Sequence, residues 1–389
     1  NAREYVKQET EGKTFDEIHQ AGLDTWEELF SGIRVEGGSE EHTALFYSLF
    51  NRLMWGPTDL GTEENPYWRS KVRNFTDFYA LWDSVRNANS LITLFAPQLE
   101  ADYLNCLLDV AEHVGWLPDA WVCGHGAMVQ GCSSTDILFC EAALKKLPGI
   151  DYEKALKYMR KNNEVESPDP WLYGRHLKDY KEKGYVSSDV KLACVSKHLE
   201  YTYQDWCIGK LAEILGDSSL AEKNFEASKK VWNLWREDLK LFAPRKANGE
   251  FDYSFDPEFV RPDPWHDSNF YEASAWQWMY SVHHDFKGLI ERCGGKEEFV
   301  CRLDRCFDEG HYHSKETVLH IPYLYIYAGI PEKTFERVRE CLTKYYRNTR
   351  NGISDNEDMG CQSAFFMCSS MGIYPIMGQD LYVLTAPIF

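Results

Sequence analysis

Apolar residues recur three to four positions apart along most of the chain. Phe15, Ile18, Ala21, Trp26, Leu29, Phe30 and Ile33 form one such stripe, and Leu199, Tyr203, Trp206 and Ile214 another. This is the spacing of an amphipathic helix with one face turned to a core. The same periodicity predicts helices over roughly 39–55, 76–95, 98–114, 133–147, 196–215, 218–238, 272–292, 296–308, 332–346 and 359–371. Several begin with residues whose short polar side chains accept from the first unpaired helical amides: Ser39 before Glu40 and Glu41, Thr76-Asp77, and Ser133 ahead of Asp136. Strand-like text is short, chiefly Asp380 to Thr385, and Gly294-Gly295 and Ile330-Pro331 are typical of the turns between helices. About a dozen helices at roughly 30 residues each, with no tandem repeat, predict an all-α protein, a toroid of paired helices with small β decorations. The irregular stretches 56–75, 163–194 and 240–271 are expected to build the mouth of its cavity.

Charge narrows the partners. Lys and Arg number 42 against 61 Asp and Glu, a formal net charge of -19. Such a surface repels nucleic acid and anionic membranes on average and suits a neutral or cationic substrate. No stretch approaches the ~18 apolar residues of a membrane span, so membrane insertion is not expected. The start, Asn1 to Tyr5, carries no hydrophobic signal segment, so the chain is expected to be soluble and a processed or excised part of something longer. Thirteen Trp and 23 Tyr fill a large core and also suit sugar rings, since each pairs an apolar face with a hydrogen-bonding edge. The 12 cysteines include no Cys-x-x-Cys pair, which argues against a zinc ribbon or a thioredoxin-like motif.

Candidate chemistry concentrates in two places. Asp355-Asn356-Glu357-Asp358-Met359-Gly360 sets three carboxylates in a turn just before a helical run. Read locally, it is either a solvated acidic loop or a seat for general-base and cation chemistry. Glu272 stands alone among Tyr271, Ala273, Ser274, Ala275 and Trp276. It is either a helix-start acid facing the dipole or a carboxyl whose apolar setting makes it a proton donor. The turn is no EF-hand, because Met359 and Phe366 fall where that loop needs oxygen ligands. Asp83 and Arg86, three apart, could form a surface pair or hold sugar hydroxyls together. His283-His284, His311-x-His313 and His320 lack a His-Glu-x-x-His helix and read as loop or core residues rather than a zinc site. Gly-x-Ser-x-Gly and phosphate-loop patterns do not occur, which removes lipase-like and nucleotide-hydrolysing readings.

An ordered series of motifs resembles the catalytic domain of family 92 glycoside hydrolases, the calcium-dependent, inverting, exo-acting α-mannosidases. It includes Leu81-Trp82-Asp83-Ser84-Val85-Arg86, Gly115-Trp116-Leu117-Pro118, Val195-Ser196-Lys197-His198-Leu199-Glu200-Tyr201, Tyr271 to Gln277, His320-Ile321-Pro322-Tyr323-Leu324-Tyr325, Asn356-Glu357-Asp358-Met359-Gly360 and Gly372-Ile373-Tyr374-Pro375. The resemblance implies an (α/α)6 toroid over 36–389, with 1–35 as linker-like helices and the family's N-terminal β-sandwich domain missing. It implies Glu272 as general acid and Asp358 as general base. Asp83 and Arg86 would hold the terminal mannose, Glu316 and His320 would line the acceptor side, and Trp82 and Asn356 would also bind substrate. Calcium would bind hydroxyls of the same mannose, with its protein ligands unassigned. An inverting mechanism places the two carboxyl groups about 6.5–9.5 Å apart. The expected substrate is a mannose-containing oligosaccharide such as a mannan or N-glycan, the expected partner a β-sandwich domain from the same or another polypeptide, and the expected location secreted or cell-surface. One segment departs from the family's Gly-Asn-Glu-Pro-x-His-His: Ser314-Lys315-Glu316-Thr317-Val318-Leu319-His320. Lys315 adds a cation and Leu319 replaces a histidine, so altered acceptor recognition is expected, including an anionic acceptor such as a phosphorylated mannan. A carbohydrate-binding or inactive fragment, and a helical-toroid glycosidase of other specificity, are the alternatives.

Overall fold

The computed structural model describes residues 2–61, 63, 65, 67–127, 130, 133–190, 193–258, 269–310 and 313–389. Its helices are of two kinds. Thr135–Leu144, Cys194–Ile214 and Cys361–Met371 are buried on nearly every side, polar positions included. Tyr152–Glu164 and Pro331–Tyr345 bury only a stripe, Ala155, Leu156, Tyr158, Met159 and Asn162 in one, Thr334, Val338, Cys341 and Leu342 in the other. A helix apolar all round belongs inside, and one with a single stripe belongs outside.

The buried helices pack onto one another in a row. Cys194–Ile214 lies against Thr135–Leu144, which meets Ala88–Phe95, which meets Cys361–Met371, which packs on the striped helix Glu40–Leu53. Early and late helices thus touch, as the toroid requires. Gly360 permits that contact: its φ of 83° suits glycine, and a Cβ there would sit 2.9 Å from Leu53 Cδ1. The β decorations are four two-stranded antiparallel ribbons among the described residues. The strand text at 380–385 appears as Tyr382–Leu384, paired with Ile373–Pro375. The eleven described cysteines are free thiols, and no described helix is long and apolar enough to cross a membrane.

Departures from the predicted helices cluster where the chain turns toward the cavity. The 76–95 segment is not one helix: Phe78 exchanges backbone hydrogen bonds with Trp121, and Leu81 N donates to the Asp119 carbonyl. Those bonds leave one turn, Leu81–Ser84, before the helix Ala88–Phe95. The 272–292 segment splits into Ala275–Trp278 and Phe286–Cys293, each with its own N-cap, Ser274 and Asp285. The 218–238 helix ends at Ser228 and tightens into the 3-10 turn Lys229–Leu234. Tyr152–Glu164, capped by Asp151, was not among the predicted helices. Leu177–Lys183 forms within the stretch read as irregular. Of the 240–271 loop, residues 259–268 lie outside the described residues. Ala2–Thr10 and Phe15–Phe30 bury no residue fully; Phe15 is exposed, while Leu29 and Phe30 touch the core.

Candidate active site

Those breaks bring four distant segments together. Asp83, Glu272 and Glu316 carry carboxylate oxygens that all lie within 4.8 Å of one another. Trp82 is fully buried, and its indole Nε1 donates to Glu316 Oε1 at 2.7 Å. The indole therefore orients Glu316 from behind. Arg86 does not pair with Asp83: its Nη1 donates to Glu200 Oε1 at 2.7 Å, and its Nε to the Trp82 carbonyl at 2.9 Å. It is a buried anchor of the floor, not half of a surface pair. Glu200 gave no local signal of this role in the sequence, because only the fold brings its helix beneath Arg86.

Glu272 lies two residues ahead of the Ser274 cap and outside the helix, so the helix-dipole reading does not describe it. Burial pushes its carboxyl well above the ordinary range, and the negative charges of Glu316 and Asp83 add to that, with Lys315 opposing. Asp83 is pushed up in the same way, by burial, Glu316 and Asp358. Asp358 rises to about 8, through burial first and Glu316 second, again with Lys315 opposing. The turn is accordingly no plain solvated loop. Glu357 Oε1 accepts from Ser363 N at the start of Cys361–Met371, 2.9 Å, and Asp355 pairs with Lys315 at 2.9 Å. Asn356 lies exposed on the turn.

Glu272 and Asp358 both have left-handed backbones, φ 54° and 50°, and Met359 follows at 51°. For side-chain-bearing residues each such conformation costs on the order of 1–2 kcal/mol, and strain of this kind concentrates at functional sites.

His320 shares a cavity wall with Glu316. Its Nε2 faces the Tyr280 carbonyl at 3.1 Å, and its ring centroid is 4.6 Å from that of His283. Burial lowers His320 to about 4 and takes His283 well down, so both rings are neutral core elements. With Arg86, Glu316 and Tyr374 they line a small cavity under the floor. Among the described residues no histidine joins a potential metal-ligating group; His311 lies outside them.

The donor set fits a hard divalent cation. It is all carboxylate oxygen, and Glu316 Oε2 and Asp358 Oδ2 are buried with no hydrogen-bond partner. Asp83, Glu272 and Glu316 each offer the ion one ligand oxygen.

The chain matches the glycosyl hydrolase family 92 catalytic domain over residues 1–389. It is 29% identical to a protein of Arthroderma benhamiae described as an uncharacterized secreted glycosidase, covering 96% of this chain and 49% of that one. Among solved structures it resembles the family 92 inverting mannosidase of Bacteroides thetaiotaomicron VPI-5482, with a TM-score of 0.89, 27% identity, and 98% of this chain against 56% of that one. A family 92 α-mannosidase of Bacteroides thetaiotaomicron gives a TM-score of 0.87 at 25% identity, with 98% and 52% covered. The chain thus spans about half the length of these relatives. Matched across its whole length, it belongs to glycosyl hydrolase family 92.

Proposed function

We propose that this chain carries the catalytic machinery of an exo-acting, inverting, calcium-dependent α-mannosidase that releases terminal mannose from mannans or N-glycans. The observation that carries the reading is the cluster in which Asp83, Glu272 and Glu316, remote in sequence, bring carboxylate oxygens within 4.8 Å of one another, with Asp358 near enough to raise Asp83. Glu272, held protonated, donates to the leaving oxygen as the C1–O bond breaks. Asp358, ionised, takes a proton from water as its oxygen bonds to C1 from the opposite face. Asp83, Arg86, Glu316 and Asn356 belong to the mannose and acceptor contacts; Trp82 and His320 act through the groups they hold. When bound, calcium supplies coordination of vicinal hydroxyls, which flattens the ring toward the oxocarbenium geometry.

Export from the cell is part of the proposal, supported by the description of the Arthroderma benhamiae relative as secreted. So is contact with a β-sandwich domain, supported by the half-length match. That same half-length favours one second reading, a sugar-binding portion without turnover. Release of mannose from an aryl α-mannoside, followed by proton NMR of the first-formed anomer, tests both. The expected product is β-mannose, and a chelator is expected to stop its formation. An α-anomer would overturn inversion, full activity after chelation would overturn the metal requirement, and binding without release would leave the second reading.

A further inference from the structure

The mechanism above leaves Lys315 unused. Its Nζ lies 2.9 Å from Asp355 Oδ2 and 3.8 Å from Glu272 Oε1, beside the group that must reach the leaving oxygen. Side-chain exposure rises in one direction through the site. Trp82 is 0% and Glu316 1% exposed, then Glu272 10%, Lys315 15% and Asp355 30%. An exo-acting enzyme holds the terminal sugar at the closed end and sends the leaving group toward the open one. The Lys315–Asp355 pair therefore stands where the leaving group passes.

We propose that Lys315 is a specificity-determining residue that grips an anion on the leaving group, so that preferred substrates are α-mannosides whose aglycone carries a phosphate or carboxylate close to the glycosidic oxygen. This rests on the mannosidase reading and names its substrate class. The ammonium is a compact charge with three donors. Asp355, on an exposed turn, is its counter-ion when the subsite is empty, and an exposed partner of this kind exchanges at little cost. Arg86 cannot serve instead, being buried on Glu200 and the Trp82 carbonyl. In a chamber of carboxylates, this cation gives an anion a reason to enter.

The test uses three substrates with the same leaving oxygen: 2-O-α-mannosylglycerol, its 1-phosphate, and 2-O-α-mannosylglycerate. Wild-type kcat/KM is expected to be about tenfold or more higher for at least one anionic substrate than for the neutral one, and the two anionic arms tell phosphate from carboxylate. Lys315→Met should abolish that preference, Lys315→Arg should keep part of it, and Asp355→Asn should keep or raise it. Melting curves confirm that each variant is folded. A wild-type enzyme that prefers the neutral substrate overturns the proposal. So does an equal fall on all three substrates in both Lys315→Met and Asp355→Asn, which would make the pair a strut. Hydrolysis of an aryl α-mannoside without charge preference sinks only this inference, whereas no release from any mannoside sinks the mannosidase reading.

Discussion

Two buried acidic clusters lie within the same set of helices and are built in opposite ways. Around Arg175, fully buried, Nη1 meets Asp205 at 2.7 Å, Nη2 meets Asp136 at 2.8 Å, and Nε donates to Ser133 at 2.8 Å. Asn162 donates to the other oxygen of Asp136, and Tyr180 to the other oxygen of Asp205. All four carboxylate oxygens are satisfied. In the catalytic chamber Glu316 Oε2, Asp358 Oδ2 and Arg86 Nη2 have no hydrogen-bond partner, and two of the acids have left-handed backbones. The first cluster neutralises its charges by pairing them. The second keeps them mismatched. Burial still raises Asp136, to about 6, against the pull of Arg175; in the second cluster like charges add to burial instead of opposing it, which raises its carboxyls further and readies them to exchange protons.

Removing one carboxylate of the mismatched cluster should therefore hurt chemistry and spare the fold, and breaking the matched one should do the reverse. Glu272→Gln and Asp358→Asn are each expected to lower kcat by about 10²–10⁴-fold, read as initial mannose release, with melting temperatures no lower than wild type. Glu272→Gln should recover most on substrates with strongly acidic leaving groups, which need little protonation. Arg175→Met leaves two buried carboxylates uncompensated and is expected to cost about 3–5 kcal/mol of stability, seen by denaturant melt, while the folded fraction turns over near the wild-type rate. A tolerated Arg175→Met alongside an unfolded Glu272→Gln would invert the contrast.

The sequence spoke unevenly about these two clusters. Periodicity located the striped helices, including Glu40–Leu53 and Pro331–Tyr345, because a helix that buries one apolar face must repeat it every 3.6 residues. It failed at 76–95 and 272–292, where Asp83 and Glu272 sit. There the backbone gives up helical bonds to Trp121 and Asp119 or adopts left-handed φ, and neither choice leaves a mark in hydrophobic spacing. Motif order named Glu272, Asp83, Arg86, Glu316 and Asp358 as one site, and the structure brings Asp83, Glu272 and Glu316 into one cluster. What spacing could not show was direction: Arg86 turns to Glu200, Trp82 stands behind Glu316, His320 faces the Tyr280 carbonyl, and Lys315 bridges toward the acidic turn. Those choices depend on partners 40 to 234 residues away.

A smaller effect sharpens the contrast inside the chamber itself. Trp82→Phe keeps the buried ring and removes the indole N–H that donates to Glu316. The loss is expected at about 10–100-fold in turnover, the range for removing a group that orients a site residue from behind. The melting temperature should change by only a few degrees. Unchanged turnover would mean that Glu316 holds its place without the indole.

The smallest expected effect is in stability against pH, and its sign is fixed. Asp358 rises from an unfolded value near ~4 to about 8 in the fold. A raised carboxyl contributes its full stability below the unfolded value and loses it as pH climbs through the folded one. Wild type should thus weaken between about pH 4 and 8 on account of this residue, and Asp358→Asn should not. In chelator, the melting temperature of the variant minus that of wild type is expected to grow by a few degrees across that range. The same titration must appear in catalysis. A general base works only ionised, so kcat/KM should rise toward pH 8 at low divalent cation and shift to lower pH as the cation saturates. A difference in melting temperature that stays flat with pH would mean that the fold does not favour the protonated form of Asp358, and the distinction between the two clusters would rest on Glu272 alone.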